Sequence, residues 1–101
     1  MAKPGLQESA LIGQLAKEGL VARRWSNGPH AVYAVHDHAY AKVLIVVSGS
    51  IEFALTDEQR RIRLGPGERL ELPARTAHSA VVGPEGVVCL EAHIESESSK
   101  S

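Results

Sequence analysis

One cysteine, Cys89, stands alone in the 101 residues, so no disulfide can form within the chain and any fold must hold through its apolar core. A chain of this length buries about two-thirds of its unfolded surface, which suffices for one core without staples and leaves no room for a second domain. Aromatic residues are scarce as well. Trp25, Tyr33, Tyr40 and Phe53 are the full set, too few for the stacking platform of a single-strand nucleic-acid binder. Charge of one sign is also missing: 11 Lys and Arg against 12 Asp and Glu leave a formal charge of -1, which excludes electrostatic binding of nucleic acid or an anionic membrane as the default. The longest apolar run, Val43 to Val47, falls far short of the roughly 20 residues that span a bilayer. The opening residues Met1 to Glu8 contain no apolar signal core. These absences point to a cytoplasmic protein with neither nucleic acid nor membrane as partner.

What is present is one helical pattern followed by many short strands. Leu11 and Leu15 lie one helical turn apart with Ala10 on their stripe, and Gly19 supplies a stop, so a short amphipathic helix is expected over 7–20. Beyond it the period changes to that of strands, expected at 20–25, 30–36, 41–47, 50–56, 60–64, 68–72, 77–82 and 87–94. The separators Ser48-Gly49, Asp57 to Gln59, Gly65-Pro66-Gly67, Pro73 to Thr76 and Gly83 to Gly86 all contain residues that tolerate tight turns. Regular short strands of this kind build an antiparallel sandwich or barrel. The expected organisation is a helical segment over 1–20, a barrel over 21–94 and a polar, serine-rich, disordered tail over 95–101. Val43 to Val47 and Val87 to Leu90 are apolar on both faces, so something must cover the face turned away from the barrel interior. The helix can cover one and a second subunit the other, which makes a homodimer the expectation; shielding by the helix alone is the alternative.

The pattern His36-Asp37-His38 places two imidazoles on one strand face, with alpha carbons roughly 6.6 to 7 Å apart. Imidazole is the neutral ligand that suits Zn, Fe, Ni and Cu. A spacing this short also arises by chance, and two solvated histidines at a strand end would explain it equally. A wider framework surrounds the pair. From Lys42 six residues lead to Gly49, and later Gly67, five residues, Pro73, Arg75 and two further residues lead to His78. This pattern resembles the two motifs of the cupin superfamily, with His36, His38, Gly49, Gly67, Pro73 and His78 on the family's positions over roughly 28–82.

The resemblance implies an all-β fold, an antiparallel double-stranded β-helix or jelly-roll barrel, here with one short N-terminal α-helix. It implies that His36, His38 and His78 converge inside the barrel on a divalent transition metal, whether Fe, Mn, Ni, Cu or Zn, beside a pocket for a small-molecule ligand. Three departures from the motifs stand out: Lys42 where the family has a glutamate ligand, Arg75 where it usually has glycine, and Val82 where it often has asparagine. A protonated lysine cannot bind a metal and repels a divalent ion. Lys42 is therefore either a solvated side chain that merely loses the fourth ligand, or a group aimed at the pocket to hold an anion or act as acid or base.

Two functional classes follow. One is a metal-dependent enzyme of oxygenase or isomerase type acting on a small molecule; the other is a non-enzymatic small-molecule or metal-binding sensor, metal-free if Lys42 replaces the glutamate. Other chemistry finds no support. Gly65-Pro66-Gly67-Glu68-Arg69-Leu70 lacks the third glycine of a dinucleotide fingerprint. Cys89 has no activating signature, His93 is expected to be structural, His30 lies too far along its strand to join the pair, and Tyr40 is expected to pack at the core or rim.

Overall fold

The computed structural model describes residues 4–94; the expected tail over 95–101 lies outside the described residues. A helix, α1 (Pro4–Lys17), precedes six strands: β1 (Arg23–Asn27), β2 (Val32–His36), β3 (Ala41–Leu55), β4 (Arg60–Leu64), β5 (Arg69–Leu72) and β6 (His78–Ile94). The helix ends three residues before the expected stop at Leu20, and Gly19 is the reason. Gly19 takes a φ of 80°, which lets Leu20 N–H donate to the Leu15 carbonyl and Gly19 N–H to the Ala16 carbonyl. This is the Schellman arrangement, and it satisfies carbonyls the helix would otherwise leave unpaired.

β3 and β6 are long and run antiparallel to each other over nearly their full lengths. The first half of β3 pairs β5 and the last half of β6, which in turn pairs β1. The last half of β3 pairs β4 and the first half of β6, which pairs β2. Two sheets therefore share the same two strands, each strand bending from one sheet into the other, and the barrel encloses its core between them.

The bends correct the expected strand list. Residues 41–47 and 50–56 are one strand, as are 77–82 and 87–94, because Ser48-Gly49 and Gly83 to Gly86 do not reverse the chain. Val46 pairs Cys89 and Ser48 pairs Val88, so Val47 is an extra residue in the ladder; Gly49 pairs Val87 and Ile51 pairs Val82, so residues 83–86 stand opposite Ser50 alone. Bulges absorb the extra residues and sharpen the bend. Gly49 and Gly86, with φ near 77° and 80°, sit against each other there, and a Cβ on Gly49 would run into the Gly86 carbonyl. At these two places turn-type residues mark bulges, whereas Asp57 to Gln59 does join β3 and β4 as a hairpin.

Each bulge also flips the faces. On β3 the barrel core takes Leu44 and Val46, then Ile51, Phe53 and Leu55; on β6 it takes Ala80 and Val82, then Val87 and Cys89. Even positions point inward before the bulge and odd ones after it, as a period of two interrupted by an odd number of extra residues, one on β3 and three on β6, requires.

The opposite face of the β3 and β6 pair carries Val43, Ile45, Val47, Leu90 and Ala92, which form a second core with Leu15, flanked by Leu11 and Leu20. Val43 pairs Ala92 and Ile45 pairs Leu90, so the two doubly apolar runs lie side by side and α1 covers both. The apolar faces of these strands do not by themselves call for a second subunit. Arg69 fastens the helix end, its guanidinium donating to both Glu18 carboxylate oxygens at 2.7 Å. Among the described residues no helix is long and apolar enough to cross a membrane.

Candidate functional site

A cavity of about 330 Å³ opens between the sheets. Its lining includes the apolar Leu44, Ile51, Phe53 and Ala80, with Trp25 and Tyr33, their rings edge to face at 5.9 Å between centroids. Its polar groups gather together: His36, His38, Lys42, His78 and Glu91.

Strand pairing brings the histidines together. His36 closes β2 directly opposite His78, the first residue of β6, and a register shift between Tyr33 and His36 keeps both Tyr33 and His36 turned to the cavity despite their odd spacing. His38 follows in the link to β3, where its carbonyl accepts the Arg75 N–H at 2.6 Å. That bond is made by Arg75 in the left-handed region at φ 60°, the conformation glycine would adopt without strain. The departure at Arg75 therefore leaves the turn intact. Ring centroids lie 4.4 Å apart for His36 and His78, 4.9 Å for His36 and His38, and 5.6 Å for His38 and His78. Ring nitrogens of the three lie within 4.8 Å of one another.

Protonation and tautomer follow from the surroundings. His36 Nδ1 is 2.7 Å from the Ala34 carbonyl and His78 Nδ1 is 2.8 Å from the Thr76 carbonyl. A carbonyl only accepts, so each Nδ1 carries a proton, which leaves Nε2 as the nitrogen through which either ring could bind a metal, the orientation that metal-ligating histidines adopt. Burial pushes His38 below the ordinary histidine range, and the Lys42 ammonium pushes it further. Burial also lowers His78, against a smaller opposing effect from its bond to Thr76. Both are therefore neutral at pH 7. Ligands on one ion at about 2.1 Å stand about 3 to 3.5 Å apart, so small ring movements would let this set close on a metal, and the donor chemistry fits one.

Lys42 lies inside the cavity, only 8% exposed, rather than in solvent. Its Nζ is 3.2 Å from His38 Nε2 and 3.5 Å from Glu91 Oε1. Trp25 Nε1–H donates to the same Glu91 oxygen at 3.1 Å. Glu91 and Trp25 were not singled out by the sequence pattern. The available signal was parity: Glu91 stands two and four residues beyond Cys89 and Val87, both of which face the core, and a strand repeats every two residues. The remaining candidates lie outside the lining of this cavity or are fully buried. Cys89 is fully buried, and burial pushes its thiol up to about 12. His30 lies outside this cavity, its N–H donating to the Val82 and Gly83 carbonyls. Tyr40 packs at the rim, between His38 at 5.1 Å and His93 at 3.9 Å.

No protein-family model matches the sequence, and no curated protein does. Solved structures do match it. KdgF from Halomonas sp. is 28% identical with a TM-score of 0.62, over 79% of this chain and 73% of that one. A cupin-2 domain containing protein from Shewanella frigidimarina is 21% identical with a TM-score of 0.62, over 75% and 71%. The protein folds as a cupin. The polyketide cyclase RemF from Streptomyces resistomycificus matches as well, 27% identical with a TM-score of 0.64, over 75% of this chain and 55% of RemF. The likeness extends to an enzyme, and it names no subfamily for this chain.

Proposed function

We propose that this cupin is a metal-dependent site for a small molecule, with His36, His38 and His78 as the ligands of one divalent transition ion. The observation that carries the reading is the pair of backbone-fixed tautomers. His36 and His78 each spend Nδ1 on a carbonyl and turn the remaining nitrogen to a cavity that already holds a third imidazole. An ion held by three imidazoles keeps open positions and supplies Lewis acidity toward a bound oxygen.

The chain's own residues define what binds beside it. A volume of about 330 Å³ lies at the small end of ligand pockets. Leu44, Ile51, Phe53 and Ala80 receive the apolar body of the molecule, and the cluster of His36, His38, Lys42, His78 and Glu91 orients an oxygen-bearing group. That a neighbour is a polyketide cyclase supports chemistry on a small oxygenated molecule in such a barrel. The second reading, binding without turnover, is favoured by Lys42, whose ammonium stands against a ligand histidine.

Elemental analysis of untagged protein purified without chelator tests the first reading. About one equivalent of Fe, Mn, Ni, Cu or Zn is expected, and none in the double variant His36→Ala/His78→Ala with an unchanged far-UV spectrum. Metal-free protein that also fails to take up metal on reconstitution would overturn it. Histidine ligands discriminate poorly among these ions, so the assay identifies the metal as well.

A further inference from the structure

The three histidines are not equivalent. His36 and His78 each engage a backbone carbonyl through Nδ1, leaving Nε2 for a metal, whereas His38 Nε2 faces the Lys42 ammonium at 3.2 Å. An ammonium has only protons to offer, so the contact is a hydrogen bond from Nζ to Nε2, and the lone pair it occupies is the one a metal would need. Ligation by His38 therefore requires Lys42 to leave. A buried ammonium cannot leave for nothing, because an unpaired charge away from water is strongly destabilising. Glu91 is the group within reach. Its Oε1 lies 3.5 Å from Nζ, a separation longer than the roughly 2.7 to 2.9 Å of a closed charged hydrogen bond, so less than an ångström of movement completes the pair. Trp25 Nε1–H holds that oxygen in place at 3.1 Å, and β1 and β6 are paired along this stretch, so the acceptor is already oriented.

The geometry points to Lys42 as a displaceable stopper on His38, with Glu91, positioned by Trp25, as the acceptor that takes the lysine when a cation takes the imidazole. This rests on the three-histidine reading and extends it to two residues outside the ligand set. One hydrogen bond is exchanged for another and no proton is lost. Glu91 also answers the electrostatic objection to a lysine at this place: together with Lys42 it makes a neutral pair, so the incoming ion meets little net repulsion.

A double-mutant cycle read by calorimetric Co²⁺ titration, with the Co²⁺ visible spectrum as a second readout, separates the possibilities. Lys42→Met frees His38 and is expected to tighten Co²⁺ at least tenfold. Glu91→Gln removes the carboxylate charge that pairs the ammonium while Lys42 remains, and is expected to weaken it at least tenfold. In the Lys42→Met background, Glu91→Gln is expected to change affinity less than threefold, because the carboxylate acts only through the lysine. If Glu91→Gln weakens binding equally in both backgrounds, Glu91 is itself a ligand and the inference is wrong. If Lys42→Met leaves affinity unchanged while His36→Ala abolishes binding, the metal site stands and the stopper does not. Absence of Co²⁺ binding in every variant overturns both. Nitrogen-15 shifts of the His38 ring in the metal-free protein provide a check independent of metal: they are expected to move in Lys42→Met and to stay in place if the lysine does not bond Nε2.

Discussion

At the scale of single residues, the site depends on positions that look unfavourable when taken one at a time. Arg75 occupies a left-handed conformation at φ 60°, which costs an L-residue about 1 to 2 kcal/mol, and its N–H holds the His38 carbonyl at 2.6 Å. Arg75→Gly is expected to keep that bond and raise stability by about 0.5 to 1 kcal/mol, after the larger chain entropy of glycine is subtracted. A higher urea midpoint at constant m would show it; a lower midpoint would mean that the arginine side chain contributes contacts of its own. The histidine pair, the distant His78 and the odd Lys42 were all legible as positions along the chain. What Lys42 touches was not, because its partner Glu91 is 49 residues away in sequence and reaches it only through the pairing of β3 with β6.

At the scale of elements, α1 acts as a cover. Leu15 is fully buried against Val43, Ile45 and Leu90 on the outer face of the shared strands. Leu15→Ala is expected to destabilise the protein by about 2 to 5 kcal/mol, measured by chemical denaturation. A loss under 1 kcal/mol would mean that the helix contributes little to covering that face. The helix was legible because its stripe and its stop are local features. The strand breaks were misjudged for an equally local reason: Gly49 and Gly86 satisfy the requirements of a turn and those of a bulge alike, since both need a positive φ. Only a partner strand running past the glycine, as β6 does beside β3, distinguishes the two.

At the scale of the whole molecule, stability is tied to the protonation of the site. Burial holds His38 and His78 below the ordinary value of 6.5, so on acidification the unfolded chain takes up protons before the folded one. Stability of the metal-free protein is then complete above about pH 6.5 and is lost as pH falls from there toward the depressed folded values. Thermal unfolding of metal-free protein across that window is expected to show a falling midpoint, flattened in His78→Gln; a midpoint that does not fall would mean these imidazoles accept protons in the folded barrel. By itself the sequence determined a strand-rich barrel with one helix, because alternation and turn residues are carried by near neighbours. That His36, His38 and His78 come together was implied only by the resemblance to the cupin motifs, and in the structure their ring nitrogens lie within 4.8 Å of one another. The tertiary structure alone decided that one helix covers both doubly apolar strands and that Glu91 stands beside Lys42. Strand alternation specifies faces only within an uninterrupted segment, and each bulge reverses them, so which side chains meet inside the barrel follows from the register of strands far apart in the chain.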